Sequence, residues 1–385
     1  MNLEGSGMTT AGSKQQKVRS PQITFGMNWK RVLPLKKRAI GILSTSAVLT
    51  FIIYGYGTIF IFEEKVLINN QEMHSQENVI TVKEPQRTHL ASLNMSLIKH
   101  RFSERLRLLQ HQCRERSSWN DQRTGNSPND VSSSCDVLEG YKVLYCHVFK
   151  SGLSSMCNLL VRLYNHEEIL RSGKMYKILA VLRPTKERFY EAMRSKDFLR
   201  FLVAREPLSR LLSGYRNRIK YTKGYSFQLA HWGPLILKYT RGLRDSEVRY
   251  PNKTLKIVPT FKEFSQFLAS QNPRDFDAHW LPFGFQCGVC EFNYTNIVHL
   301  ETFEEDIKYI TRITGIDHVV DLTKINLREN VGIGNTTEIL IEYYSTLDPE
   351  TLQKIIDIYR DDFKLFGYDP RPLLRIISPN VTIKF

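Results

Sequence analysis

From Ala39 to Phe62 the chain runs for 24 residues without Asp, Glu, Lys or Arg. As an α-helix rising about 1.5 Å per residue, such a segment spans roughly 36 Å, which covers a bilayer core of about 30 Å. Lys36, Lys37 and Arg38 abut its first residue, and Glu63 and Glu64 follow its last. The positive-inside rule then predicts a cytosolic N-terminus and a lumenal remainder. A buried core helix is the alternative reading. A cleaved signal peptide fits worse, because the leader is long and Phe62-Glu63-Glu64 offers no small-residue cleavage site. The expectation is a type II anchor at 39–62 behind a cytoplasmic tail at 1–38. That tail carries eight Lys/Arg and one Glu, so nearly half of the formal +15 lies in it. The charge on the rest points to an anionic partner without naming one.

All six cysteines (Cys113, Cys135, Cys146, Cys157, Cys287 and Cys290) follow this segment, as do N-x-S/T sequons at Asn94, Asn252, Asn293, Asn335 and Asn380. Both fit an oxidising lumen. The sequence does not choose among the possible cysteine pairings. Cys287-x-x-Cys290 has the spacing of half a zinc site, but no second CxxC or HxxxH accompanies it, so disulfides or buried thiols are the preferred reading.

Residues 63–140 read as a stem and linker. Leu90, Leu93, Leu97, Phe102, Leu106 and Leu109 trace an imperfect helical face, which fits either a dimerising stem or a helix packed on its own domain. Residues 117–134 hold almost nothing to bury and read as a flexible linker. A catalytic domain is expected over 141–378. There Lys142–Val148 and Leu199–Ala204 read as strands, each followed by a helix, near Ser154–Tyr164 and from Pro207. Leu352, Ile355, Ile356, Tyr359, Phe363 and Phe366 recur at helical spacing, closed by Gly367. With 42% hydrophobic residues a sizeable core is available, and strands alternating with helices predict an α/β domain with a mainly parallel sheet.

Two strand-to-helix loops carry the chemistry. In the first, Phe149-Lys150-Ser151-Gly152-Leu153-Ser154-Ser155, a glycine permits a tight turn, helix-start N–H groups face an anion, and a lysine supplies a point charge. The Walker order is absent, since the lysine precedes the glycine. In the second, Arg205-Glu206-Pro207 leaves an apolar strand, followed by Arg210, Ser213, Tyr215 and Arg216 on the helix. Arg205 offers a planar fork to a phosphate.

Together these loops resemble the cofactor motifs of the Golgi carbohydrate sulfotransferases, especially the branch of the chondroitin and dermatan 4-O-sulfotransferases and the HNK-1 sulfotransferase. The second loop matches R-[DE]-P-x-x-R-L-x-S-x-Y-R. The first departs from P-K-V-x-x-T-N: Phe149 replaces the proline, and Ser154-Ser155-Met156 stands where Thr-Asn-Trp is usual. His279-Trp280-x-Pro282 with Cys287-x-x-Cys290 and Tyr294, Leu300-Glu301-Thr302-Phe303-x-x-Asp306, and Tyr359-x-x-Asp362-Phe363-x-x-Phe366-Gly367-Tyr368 are similar to further blocks of that family. The similarity covers about 141–370.

The resemblance implies a P-loop-like sulfotransferase domain that uses 3′-phosphoadenosine-5′-phosphosulfate (PAPS) as co-substrate, with no metal. It implies Lys150 at the bridging or leaving oxygen and Phe149, Ser151, Gly152, Leu153, Ser154 and Ser155 around the 5′-phosphosulfate. Arg205, Glu206, Pro207, Arg210 and Ser213 form the 3′-phosphate loop. His279 is the candidate general base, ahead of Glu206. The implied partner is an anionic glycan, first of all chondroitin sulfated at GalNAc O4, with another Gal-, GalNAc- or glucuronyl-terminated glycan as the alternative, and no nucleic acid. The implied location is the Golgi membrane.

Overall fold

The chain divides into two units, residues 1–82 and 83–385. The computed structural model describes residues 93–118, 131–222, 226–250, 252, 254–327, 336–379 and 383–385. The predicted tail and anchor lie outside these residues. Among the described residues no helix is long and apolar enough to cross a membrane.

After helix α1 (Met95–Ser118), strands β1 (Cys135–Leu138) and β2 (Val143–Cys146) form an antiparallel hairpin. Helices α2 (Leu153–Leu163), α3 (Glu167–Ser172), α4 (Ile178–Leu182) and α5 (Lys186–Arg194) cross over to β3 (Leu199–Ala204), which pairs parallel to β2. A longer crossover follows through α6 (Pro207–Tyr215), α7 (Phe227–Arg241), α8 (Asp245–Val248), α9 (Phe261–Ser270) and α10 (Phe283–Cys287). It leads to β4 (Asn296–His299), parallel to β3. The chain closes with α11 (Phe303–Ile313), α12 (Thr336–Tyr344), α13 (Pro349–Ile358), α14 (Arg360–Phe366) and α15 (Arg371–Ile377). The sheet order is β1-β2-β3-β4.

The period-2 alternation of the strands builds the two faces. Val143, Tyr145, Phe201, Val203 and Val298 pack on one side with Met156 and Leu160 of α2 and Ile307 of α11. Leu144, Cys146, Leu202, Ala204 and Ile297 pack on the other with Phe189, Phe283 and Phe366. Both faces are covered, which is why these strands read as unbroken apolar runs. A third cluster ties α6, α9, α13 and α14 together around Trp280, Phe264, Ile355 and Phe363. The predicted closing helix is two helices, because Tyr359 leaves helical geometry at φ −102°, ψ 11°. All six of its spaced apolar residues are nevertheless buried.

The boundary at 141 needs correcting. Cys135–Leu138 is the sheet's first strand, and Val131 and Ser132 of the predicted linker are buried beneath it. Of the two readings of the stem helix, packing on its own domain is the one observed. Ile98, Phe102 and Leu109 of α1 are buried, whereas Leu97 faces outward. Two arginines on the same side complete the attachment. Arg101 and Arg105 each donate to Asp306 at 2.6 Å, and Thr302 Oγ1 donates to the same carboxylate at 2.7 Å. The disulfide Cys113–Cys290 anchors the far end of α1, and Cys146–Cys287 ties β2 to α10. The CxxC cysteines therefore bond to distant strands and helices, not to each other. Cys135 and Cys157 are buried outside both bonds.

Asp306 is wholly buried with its two arginines mostly so. Asp306→Ala would strip Arg105 of its carboxylate and leave Arg101 with Glu305 alone, a loss of about 3–5 kcal/mol by the usual cost of breaking a buried pair. Denaturant unfolding of the variant should report it. An unfolding midpoint equal to that of the unmodified chain would mean that the apolar face and the Cys113–Cys290 disulfide hold α1 without the ion pairs.

Candidate active site

Because β2 and β3 run parallel and side by side, their carboxyl ends open on one edge of the sheet, the usual place for a ligand crevice in such folds. The first loop turns sharply there. Lys150 and Gly152 both adopt positive φ, at 69° and 72°. A left-handed lysine is uncommon and points to a functional constraint. Gly152 is required on two counts: a side chain would be strained at its φ and would stand 3.0 Å from the Phe303 ring. The turn leaves the N–H groups of Leu153 and Ser154 at the start of α2 without intrahelical acceptors, aimed as anion donors.

The second loop begins α6 beside it. Glu206 is the N-cap, its two carboxylate oxygens accepting from the N–H groups of Leu208 and Ser209, with Pro207 at the first helical position. Arg205 Nη1 donates to the Lys150 carbonyl at 2.8 Å and so ties one loop to the other. Past Tyr215 the helix widens into a π-helical turn, Arg216–Lys220. Such turns occur often at functional sites.

Both loops border a single cleft of about 410 Å³. The first contributes Phe149, Lys150, Gly152, Leu153, Ser154 and Ser155; the second contributes Arg205, Ser209, Leu212 and Ser213. Arg216, Asn217, Arg218 and Tyr221 line it from the π-turn, and His279, Leu300 and Phe303 from beyond. Four cations and no carboxylate stand among its described lining residues, so the cleft selects anions. Burial, together with Arg205 and Arg218 nearby, lowers the Lys150 ammonium to about 8.

Several predicted site residues lie elsewhere. Arg210 is wholly buried: it donates to the carbonyls of Phe149 and Leu281 and lies 4.7 Å over the Phe283 ring. It is a brace beneath the first loop and does not reach the cleft. Glu206 and Pro207 are likewise parts of the helix start, outside the lining, which removes Glu206 as the alternative base. Ser151 is buried behind its loop with no partner for its hydroxyl. Ser155 Oγ donates to the Asn326 carbonyl, and Ser154 Oγ is hydrogen-bonded to the Tyr176 hydroxyl.

His279 reaches the cleft with a partner on each ring nitrogen. Its Nδ1 lies 2.6 Å from Asp277 Oδ1, and Arg218 Nε donates to its Nε2 at 2.8 Å. The Phe149 ring packs on the imidazole with centroids 4.2 Å apart, which gives the departure from the proline of the family pattern a local role. The segment is held close to α6: a methyl group at Gly214 would stand 2.9 Å from the His279 carbonyl. Burial above all, with Arg218 and Lys150 adding to it against the pull of Asp277, lowers the His279 pKa below its ordinary value.

The sequence profile described as the sulfotransferase family matches residues 133–369, which take in the sheet, both loops and the closing helices. The chain belongs to this family. Among curated proteins, this sulfotransferase is 26% identical to human carbohydrate sulfotransferase 10 over 284 residues, covering 69% of this chain and 75% of the relative. It is 24% identical to rat carbohydrate sulfotransferase 11 over 274 residues, with the same coverage. Zebrafish carbohydrate sulfotransferase 14 is 27% identical over 262 residues, covering 65% of this chain and 64% of the relative. No solved structure matches the chain. The family match makes the sulfotransferase an enzyme of sulfate transfer, with an α/β domain whose sheet is mainly parallel.

Sequence reasoning missed both Asp277 and Arg218. Asp277-x-His279 is a usable signal, since a carboxylate two residues before a histidine can reach its Nδ1. Nothing local announces that Arg218 meets the other nitrogen, because that contact spans sixty-one residues.

Proposed function

We propose that this enzyme transfers a sulfuryl group from PAPS to a hydroxyl of a glycan in the Golgi lumen, with GalNAc O4 of chondroitin as the first acceptor to test. The observation that carries the reading is the convergence of both phosphate-type loops on one cleft, beside a histidine, with no carboxylate among its described lining residues. The cleft fits the donor: its cations, its helix-start N–H groups and the ammonium of Lys150 are of the kind that phosphate and sulfate oxygens require. Bound there, the donor supplies an activated sulfuryl group on a phosphate leaving group.

The chain's residues divide the work. Lys150 and the N–H groups of Leu153 and Ser154 hold the 5′ end and offset charge as the leaving phosphate gains it. Arg205 and Ser213 hold the 3′-phosphate. His279 takes the acceptor proton at Nε2, with Nδ1–H held by Asp277 so that the tautomer is set. Residues 39–62 form the membrane anchor, with 1–38 in the cytosol. Exposed asparagines at three sequons, Asn94, Asn252 and Asn293, suit a glycosylated lumenal domain. Transfer of label from PAPS to a panel of chondroitin, dermatan and Gal- or glucuronyl-terminated acceptors, with disaccharide analysis of the product, tests the reading. No product from any of them would defeat it.

The pH dependence follows from the two shifted groups. His279 must be neutral to accept a proton, and its lowered pKa keeps it so to below about 6.5, the ordinary value. Lys150 must be protonated, so kcat/KM for the donor should fall as pH rises through about 8. In kcat this alkaline limb should move upward, because bound anions favour the ammonium. An alkaline limb of kcat/KM near 10.5 would show an unperturbed lysine and contradict the site as described.

A further inference from the structure

His279 has both ring nitrogens engaged, and only one of the engagements suits a base. Nδ1 pairs with Asp277, which leaves Nε2 to receive a proton; yet Nε2 already accepts from Arg218. While that bond stands, the lone pair has no room for an acceptor hydroxyl. We propose that Arg218 caps His279 until an oxyanion on the acceptor sugar draws the guanidinium away, so that an anion near the accepting hydroxyl releases the base. The idea rests on the proposed transfer to a glycan and adds its specificity: the acceptor carries a carboxylate or sulfate beside the hydroxyl that is sulfated.

Three observations support the exchange. Arg218 itself lines the cleft, so an acceptor can reach it. Its present acceptor is a neutral imidazole nitrogen, and a carboxylate or sulfate is a stronger partner that a guanidinium fork meets with two parallel bonds. It also stands near enough to Lys150 to disfavour the lysine's charge, a repulsion that an incoming anion relieves. The groups facing the imidazole are Asp277, Arg218, Lys150 and the Phe149 ring. With Arg218 displaced, the acceptor oxygen forms its bond to sulfur as the sulfur–phosphate oxygen bond breaks. The hydroxyl proton passes to Nε2, and the leaving phosphate keeps the electron pair. Arg218 is thus a positioning residue that acts through His279 and contacts neither the acceptor oxygen nor the sulfur.

The test uses the full-length protein in detergent with three acceptors: unsulfated chondroitin hexasaccharide, its carboxyl-reduced form, and the reduced form bearing a 6-sulfate. Both charged acceptors should exceed the neutral one in kcat/KM by about 10–100-fold, the scale of a charge-assisted bond. In Arg218→Ala that preference should collapse to within about threefold, read as a ratio of charged to neutral acceptors so that any general change in rate cancels. Preference for only one charged acceptor would identify the anion as carboxylate or sulfate. A preference that survives in Arg218→Ala, or a parallel loss on all three, would overturn the proposal. The His279 nitrogen signals of histidine-labelled protein, assigned by comparison with His279→Gln, give a readout independent of turnover and of the variant's folding. The Nε2 signal should move with the charged hexasaccharides and stay with the neutral one. Movement with adenosine 3′,5′-bisphosphate alone would make the nucleotide the releasing anion and sink the inference. Absence of transfer to every acceptor would instead defeat the functional reading, and the nitrogen signals would still judge the cap.

Discussion

Lys150→Ala is expected to lower kcat by about 10²–10³-fold, the usual cost of removing one donor aimed at developing charge. The lysine is held at a positive φ that places its ammonium in the cleft, and that conformation is costly enough to need a reason. Its charge matters most as the leaving phosphate becomes more negative, so the loss should fall on turnover more than on donor affinity. Arg205→Ala gives the contrast. On the proposed assignment Arg205 meets the 3′-phosphate and not the breaking bond, so donor affinity should fall most. The structure adds a qualification, because Arg205 also holds the Lys150 carbonyl. Some turnover should therefore be lost in Arg205→Ala as well. Measured donor affinity and saturated turnover in both variants separate the roles. Equal affinity losses with unchanged saturated turnover would refute the assignment of Lys150.

His279→Ala should lower the transfer rate by about 10²–10⁴-fold, the contribution of a positioned base, with donor affinity near that of the unmodified chain. The imidazole packs on Phe149 and precedes the buried Trp280, so a variant that misfolds is a foreseeable result. Asp277→Asn guards against that. It keeps the shape of the side chain but replaces the carboxylate that orients Nδ1–H, and it should reduce turnover without exposing Trp280. Tryptophan fluorescence can monitor the latter. Near-normal turnover in a well-folded His279→Ala protein would remove the histidine from the chemistry.

Strands β2 and β3, the starts of α2 and α6, and the end of α14 at Gly367 were legible in the sequence. Each is written in neighbouring residues: apolar runs, a proline at the first helical position, and glycines where φ must be positive. The family's second motif was legible for the same reason, since Arg205, Glu206, Pro207 and Ser213 occupy one continuous loop and helix. What that motif could not reveal is that its residues point in different directions. Arg205 and Ser213 line the cleft, while Arg210, on another side of the same helix, is buried under the first loop. Only the tertiary structure decided this, along with the attachment of α1 through Asp306, the pairing of Cys113 with Cys290 and of Cys146 with Cys287, and the capping of His279 by Arg218. Those partners lie from sixty-one to about two hundred residues apart, and each contact depends on where the sheet and its crossovers bring the chain back. Periodicity and turn chemistry act over a few residues; packing and charge pairing act over a few ångströms, whatever the distance along the chain.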